Sequence, residues 1–151
     1  MLNAPAFQKL IRTHDDIAPT VARVVAGLVM LPHGLQKTLG LFGGNGFSAT
    51  MDYFTGTGLP WIAALLVILG ESAGALGMIT GTLSRFAAFG FVSIMTGAIF
   101  MGHWSHGFFM NWYGNQQGEG FEYHLLMIGL AVIVLIKGGG AFSIDRVLQK
   151  D

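Results

Sequence analysis

A chain of 151 residues, 52% of them hydrophobic and only 11% charged, has a mean hydropathy of +0.59, too apolar for an ordinary water-soluble domain. Eight Lys and Arg balance eight Asp and Glu, so the chain lacks the one-sided positive field that neutralises phosphates, and no nucleic-acid partner is expected. Without cysteine it has neither disulfides nor thiolate chemistry, and any redox role needs a bound cofactor or a protein partner.

Residues 1–16 do not follow the basic, apolar, small-residue order of a cleavable signal. Phe7, Leu10 and Ile11, with Lys9 and Arg12 between them, are expected either to lie on the cytoplasmic leaflet as a short amphipathic helix or to form a flexible tail. Four apolar runs follow, at about 17–40, 60–81, 86–103 and 121–137. At ~1.5 Å per residue each can cross a hydrocarbon core of ~30 Å, the last two only just. Backbone amides in lipid must be paired within their own segment, and the runs lack the alternation of barrel strands. The expected fold is therefore an all-α membrane protein, a four-transmembrane-helix bundle over 17–146 followed by a short tail, 147–151. Between the first two runs, the Gly-rich stretch 41–60 with its Phe and Tyr suits a structured cap at the interface. Between the last two, 104–120 carries five aromatics, as an interfacial belt would.

Lys9, Arg12, Arg85, Lys137, Arg146 and Lys150 all fall on one side of such a bundle, and Lys37 is the only Lys or Arg on the other. The positive-inside rule then puts both termini in the cytoplasm of a multi-pass protein of a bacterial inner membrane.

Charged groups inside the runs are the chemical signal, since each costs ~2.5–3.5 kcal/mol near the bilayer centre on insertion scales. Arg23, His33 and Lys37 share one face of the first run, within ~40° steps on a helical wheel. Glu71 lies ~16 Å below the outer end of the second run, at a depth between Arg23 and His33. The expectation is a buried Arg23–Glu71–His33 network, with Arg23 as counter-charge, Glu71 as proton carrier and His33 as hydrogen-bond donor or shuttle. The bland alternative is an Arg23–Glu71 ion pair that only fixes helix register.

Lys37, His103, His106, Glu122 and His124 gather at the outer ends. His103 and His106, three apart, share a face if the helix continues, which leaves open interfacial polarity, a metal site or a pocket for a polar head group. Glu122 and His124, ~200° apart, cannot both point inward, which weakens a four-ligand cage, and no metal site is assigned. Gly70/Gly74 and Gly77/Gly81 are spaced for close helix approach.

Taken together, Arg23, "HGLQK" (33–37), "ILGESAGALGMITG" (68–81), "GTLSRFAA" (81–88), "HWSHGFF" (103–109) and "GFEYHLLMIGLAVIVLIKGGGAFSID" (120–145) resemble the DoxX family of small four-helix bacterial membrane proteins, from about 18 to 146. The resemblance carries over to Arg23, His33, Gly34, Lys37, Glu71, Gly74, Glu122, Ser143 and Asp145, but less to His106 and His124. It implies a link to redox systems, through quinone in the DoxD branch, often beside soluble partners. No CxxCH haem motif or flavin fingerprint supports an independent oxidoreductase. The expected function is a quinone- or small-ligand-binding accessory of a redox system, with Glu71 and His33 as the proton-handling residues and Arg23, Lys37, His103 and Glu122 around the ligand. Two rivals stand beside it: a membrane anchor or assembly subunit with no chemistry of its own, and a metal-handling or transport protein using the outer histidines. A protein partner or homo-oligomer is expected alongside the lipid bilayer.

Overall fold

The computed structural model describes residues 4–149; its regular elements are all helices, joined by loops, with no strand among the described residues. The long helices occupy the four apolar runs: α2 (Ile17–Leu39), α4 (Trp61–Thr80), α5 (Ser84–Ala98) and α6 (Glu122–Lys137). Shorter ones are α1 (Pro5–Ile11), α3 (Gly46–Gly56) and α7 (Ile144–Leu148). Three segments, Ile17–Leu39, Trp61–Thr80 and Ser84–His106, are long and apolar enough to cross a membrane. The 16 residues of α6 span ~24 Å, less than a ~30 Å hydrocarbon core.

The pattern of exposure is that of a protein dissolved in lipid. Large side chains such as Leu28, Leu66, Phe86, Phe89, Leu126 and Ile136 point outward, whereas the core is built from Ala22, Ala26, Ala75, Ala88, Ala131 and flexible methionines. Small residues inside let backbones approach, which is where a bundle in lipid gains its packing energy. The most extensive helix pair is α2 on α4. Gly27 and Gly34, two turns apart, lie against α4, and a Cβ on Gly34 would run into the Glu71 carbonyl. Gly34→Ala is therefore expected to force the helices apart and cost about 1–3 kcal/mol, read as a lower unfolding midpoint in detergent. An unchanged midpoint would contradict this contact. Gly70 and Gly77 face α5 instead, against Ile94 and Ala87, and Gly74 meets Phe91.

The stretch between the first two runs is a structured cap. Its helix α3 buries Met51 against Ala64 and Ile68 of α4. At the N-terminus α1 forms, and its Ile11 is buried, with contacts from α1 to α5 and α7.

The end of the bundle that carries both termini is closed by hydrogen bonds from charged groups to helix ends. Arg23 donates from Nε to the Gly139 carbonyl at 2.6 Å, from Nη1 to Met78 and Ile79 at 2.9 and 2.5 Å, and from Nη2 to Phe142. Arg85 does likewise for the last turn of α6, bonding the Leu135 and Ile136 carbonyls, and also reaches the Arg12 carbonyl. Each guanidinium thus serves carbonyls that a helix C-terminus leaves without partners, at the negative end of its dipole. Asp145 does the converse for α5, accepting from the Leu83 and Ser84 N–H groups at 2.7 and 2.8 Å. Leu83 is held in the left-handed region, φ 48°, a conformation costing a non-glycine residue ~1–2 kcal/mol that this carboxylate helps to offset. Ser143, which resemblance alone had marked, caps α7 by accepting from the Arg146 N–H.

Candidate functional site: a groove between α4 and α5

Packing of α4 on α5 is looser than that of α2 on α4, and between them lies a cavity of about 1480 Å³. Its walls are apolar and small, with Gly70, Gly74 and Gly77 from α4 and Gly90, Gly97 and Ala98 from α5. The polar residues that line it include Lys37, Glu71, His33, His103, Glu119, Tyr123 and His124, and also Tyr53, Thr57, Thr80, Thr82 and Ser93.

Glu71 is buried, and its Oε2 lies 2.5 Å from Lys37 Nζ. The sequence makes this pair through Gly34. That glycine puts α2 at backbone contact with Glu71, and Lys37 stands one turn further along. Side chains on a helix tilt toward its N-terminus, so the Lys37 stem leans back over that turn and delivers its ammonium to the carboxylate.

A file of rings continues from there. His33 is 6.3 Å from Tyr123, Tyr123 is 5.4 Å from His124, and His124 is 4.2 Å from His103, centroid to centroid. His103 reaches this place because α5 widens into a π-helical segment, Ile99–His103, and then tightens into a 3-10 turn, Trp104–His106. Such π segments are rare and recur at functional sites. His103 Nδ1 donates to the Glu119 carbonyl at 2.8 Å. Two buried atoms along this file, Tyr123 Oη and His124 Nδ1, have no hydrogen-bond partner among the described residues. Such groups are costly to bury unless something satisfies them.

Several expectations need correction. Arg23 and Glu71 are not partners: the guanidinium is committed to carbonyls seven and eight residues past Glu71, ~10–12 Å further along α4. The single Arg23–Glu71–His33 network therefore divides in two, a structural Arg23 cluster and a Lys37–Glu71 pair. His33 is exposed on the rim of the groove and does not belong to a buried network. Glu122 does not line the groove, because its Oε1 accepts from the Met110 N–H at 3.0 Å and the Trp112 indole at 3.1 Å, tying down the loop before α6. His103 and His106 do not share an α-helical face, since the α-helix ends at Ala98; His103 meets His124 instead. Among the described residues no three His, Asp or Glu side chains are grouped closely enough to hold a metal ion. Tyr123 was absent from the residues expected to matter and His124 was set aside. Nothing in their spacing shows that they turn toward the groove.

The DoxX profile matches residues 18–104, more than half of the sequence. The chain belongs to the DoxX family. Over 139 residues it is 29% identical to Inner membrane protein YqjF of Escherichia coli, covering 90% of this chain and 95% of that one. Over 131 residues it is 25% identical to Inner membrane protein YphA of the same organism, covering 83% and 86%. No solved structure matches it. As a DoxX-family inner membrane protein, it is in contact with the lipid bilayer.

Proposed function

We propose that this DoxX protein crosses the inner membrane four times, with both termini cytoplasmic, and binds a quinone-class ligand in the groove as an accessory of a redox system. In support of the topology, α6 packs along α5 and α2 as the fourth member of the bundle, and Lys and Arg concentrate at the terminus-bearing end. In support of the ligand is a buried carboxylate–ammonium pair lining a groove whose walls are mostly apolar, since an intramembrane ionisable residue is by default a functional one. The residues present suit a quinone: Lys37 and Tyr123 can donate to a carbonyl, Glu71 and His124 can accept from a hydroxyl, and the apolar walls exclude water. Glu71 holds or releases a proton of the head group, Lys37 supplies the counter-charge, and His33 stands at the rim as a shuttle.

The anchor reading draws on Arg23, whose whole donor set serves the backbone. It leaves the Lys37–Glu71 pair without a purpose. Binding of a decyl-substituted benzoquinone to the protein in lipid nanodiscs separates the two. Wild type should bind it, and a folded Glu71→Gln variant should bind about tenfold more weakly, the ~1.4 kcal/mol expected of a lost charged hydrogen bond. Equal binding by both, or none by wild type, refutes the quinone reading.

A further inference from the structure

A second, smaller cavity lies under the cap. It measures about 270 Å³ and is enclosed by the end of α2, the turn at Gly43 and Gly44, and α3. Five of its eight lining residues carry a polar side chain: Gln36, Lys37, Asn45, Thr50 and Tyr53. Asn45 stands at the N-cap of α3 without a capping bond from its side chain, and Thr50 is turned inward at 8% exposure. A space of this size and polarity holds several water molecules, at ~30 Å³ each, with hydrogen-bonding partners for them.

The two cavities meet at Lys37. It lines both, as do Tyr53 and Phe54 of α3, whereas Glu71 lines the groove alone. Lys37 is two residues from the end of α2, and its side chain keeps 22% of its surface exposed while its ammonium sits 2.5 Å from the carboxylate. The pair thus has a mostly apolar groove on one side and a polar pocket beside the loops on the other. An ion pair that only fastened α2 to α4 would gain nothing from such an opening, because water near it raises the local dielectric and weakens the attraction.

We infer that the smaller cavity is a water-filled vestibule, through which Glu71 exchanges protons with the aqueous phase at the loop end of the bundle by way of Lys37. The ammonium gives a proton to a vestibule water, leaving an amine and a hydronium ion, and the amine takes its replacement from the protonated carboxyl of Glu71. The sum is one proton moved from carboxyl to water, and the reverse order brings one in. Lys37 therefore does more than balance charge, being the member of the pair that both cavities touch. This rests on the reading of Glu71 as a proton holder and adds to it the end of the bundle from which the proton comes.

Reductive methylation with formaldehyde and cyanoborohydride tests the route on the full chain in nanodiscs, because an amine reacts only after it has lost its proton and met the reagents from water. Lys37 is the lysine of the loop end, and Lys9 and Lys137 at the other end serve as internal references. Peptide mass spectrometry should find Lys37 methylated in wild type. Asn45→Trp and Thr50→Leu, which fill the vestibule, should each slow that reaction about tenfold or more while Lys9 and Lys137 stay within about twofold of wild type. Asn45 is exposed on the rim, so its variant keeps the fold and carries the comparison should Thr50→Leu not. Methylation of Lys37 at the wild-type rate in Asn45→Trp overturns the vestibule, as does an unreactive Lys37 in wild type. Slowing by Ser93→Phe in the groove, but by neither vestibule variant, places the access on the groove side and overturns it too. No quinone takes part, so absent quinone binding counts against the proposed ligand alone, and a Lys37 indifferent to the vestibule variants counts against the vestibule alone.

Discussion

Arg23→Leu should lower the stability of the bundle by about 3–5 kcal/mol, the cost usual for breaking a buried charged cluster from one side. Arg23 is 1% exposed and its three guanidinium nitrogens bond four carbonyls from two separate parts of the chain, the end of α4 and the Gly-rich turn before α7. Leucine fills part of the volume but leaves those carbonyls buried without donors, each at ~1–3 kcal/mol less whatever relaxation recovers. Arg23→Lys should fall between, since one ammonium cannot fan out to carbonyls on both sides as a planar guanidinium does. Unfolding midpoints in mild detergent measure the series. A Leu variant within about 1 kcal/mol of wild type would show that the carbonyls find other donors.

The Lys37–Glu71 pair should show an asymmetric cycle. Lys37→Met strands a buried carboxylate and is expected to cost about 3–5 kcal/mol. Glu71→Leu should cost less, because the Lys37 side chain keeps 22% of its surface exposed and can carry its ammonium toward the loop end of the bundle. The double variant, apolar at both positions, should return close to wild-type stability, so that the coupling is as large as the two single losses together, at least about 3–5 kcal/mol. Quinone binding should be lost in all three. Strictly additive losses would mean the two groups do not act as a pair, and retained binding in the stable double variant would return the protein to a purely structural role.

Helix positions were legible because apolar runs of this length have one physical solution in lipid. The charged residues were equally visible, but their partners were not. A helical wheel places Arg23, His33 and Lys37 on one side of α2, yet it says nothing of which neighbour meets each level of that side. Arg23 found backbone carbonyls rather than Glu71, and carbonyls leave no mark in a sequence. The signal for the actual pairing was Gly34, whose missing side chain brings α2 onto Glu71 with Lys37 one turn away. The groove was hidden for a different reason: α4 and α5 are apolar all round, so no periodicity tells a face turned to lipid from one turned to a cavity. The π segment that carries His103 to His124 also lacks a local signature, and the extrapolated α-helix misplaced His106 with it.

The closure at the terminus-bearing end imposes an order on biogenesis. Arg23 enters the membrane early in synthesis, but one of its acceptors, Gly139, emerges 116 residues later, and Asp145, which fastens the start of α5, later still. Until then a cation on the first inserted helix and the loose carbonyls at the foot of α4 must be accommodated by lipid, water or the insertion machinery. The short segment from Gly138 to Asp145 thus works like a keystone, dropped in once the other pieces stand and converting a set of inserted helices into a single locked body.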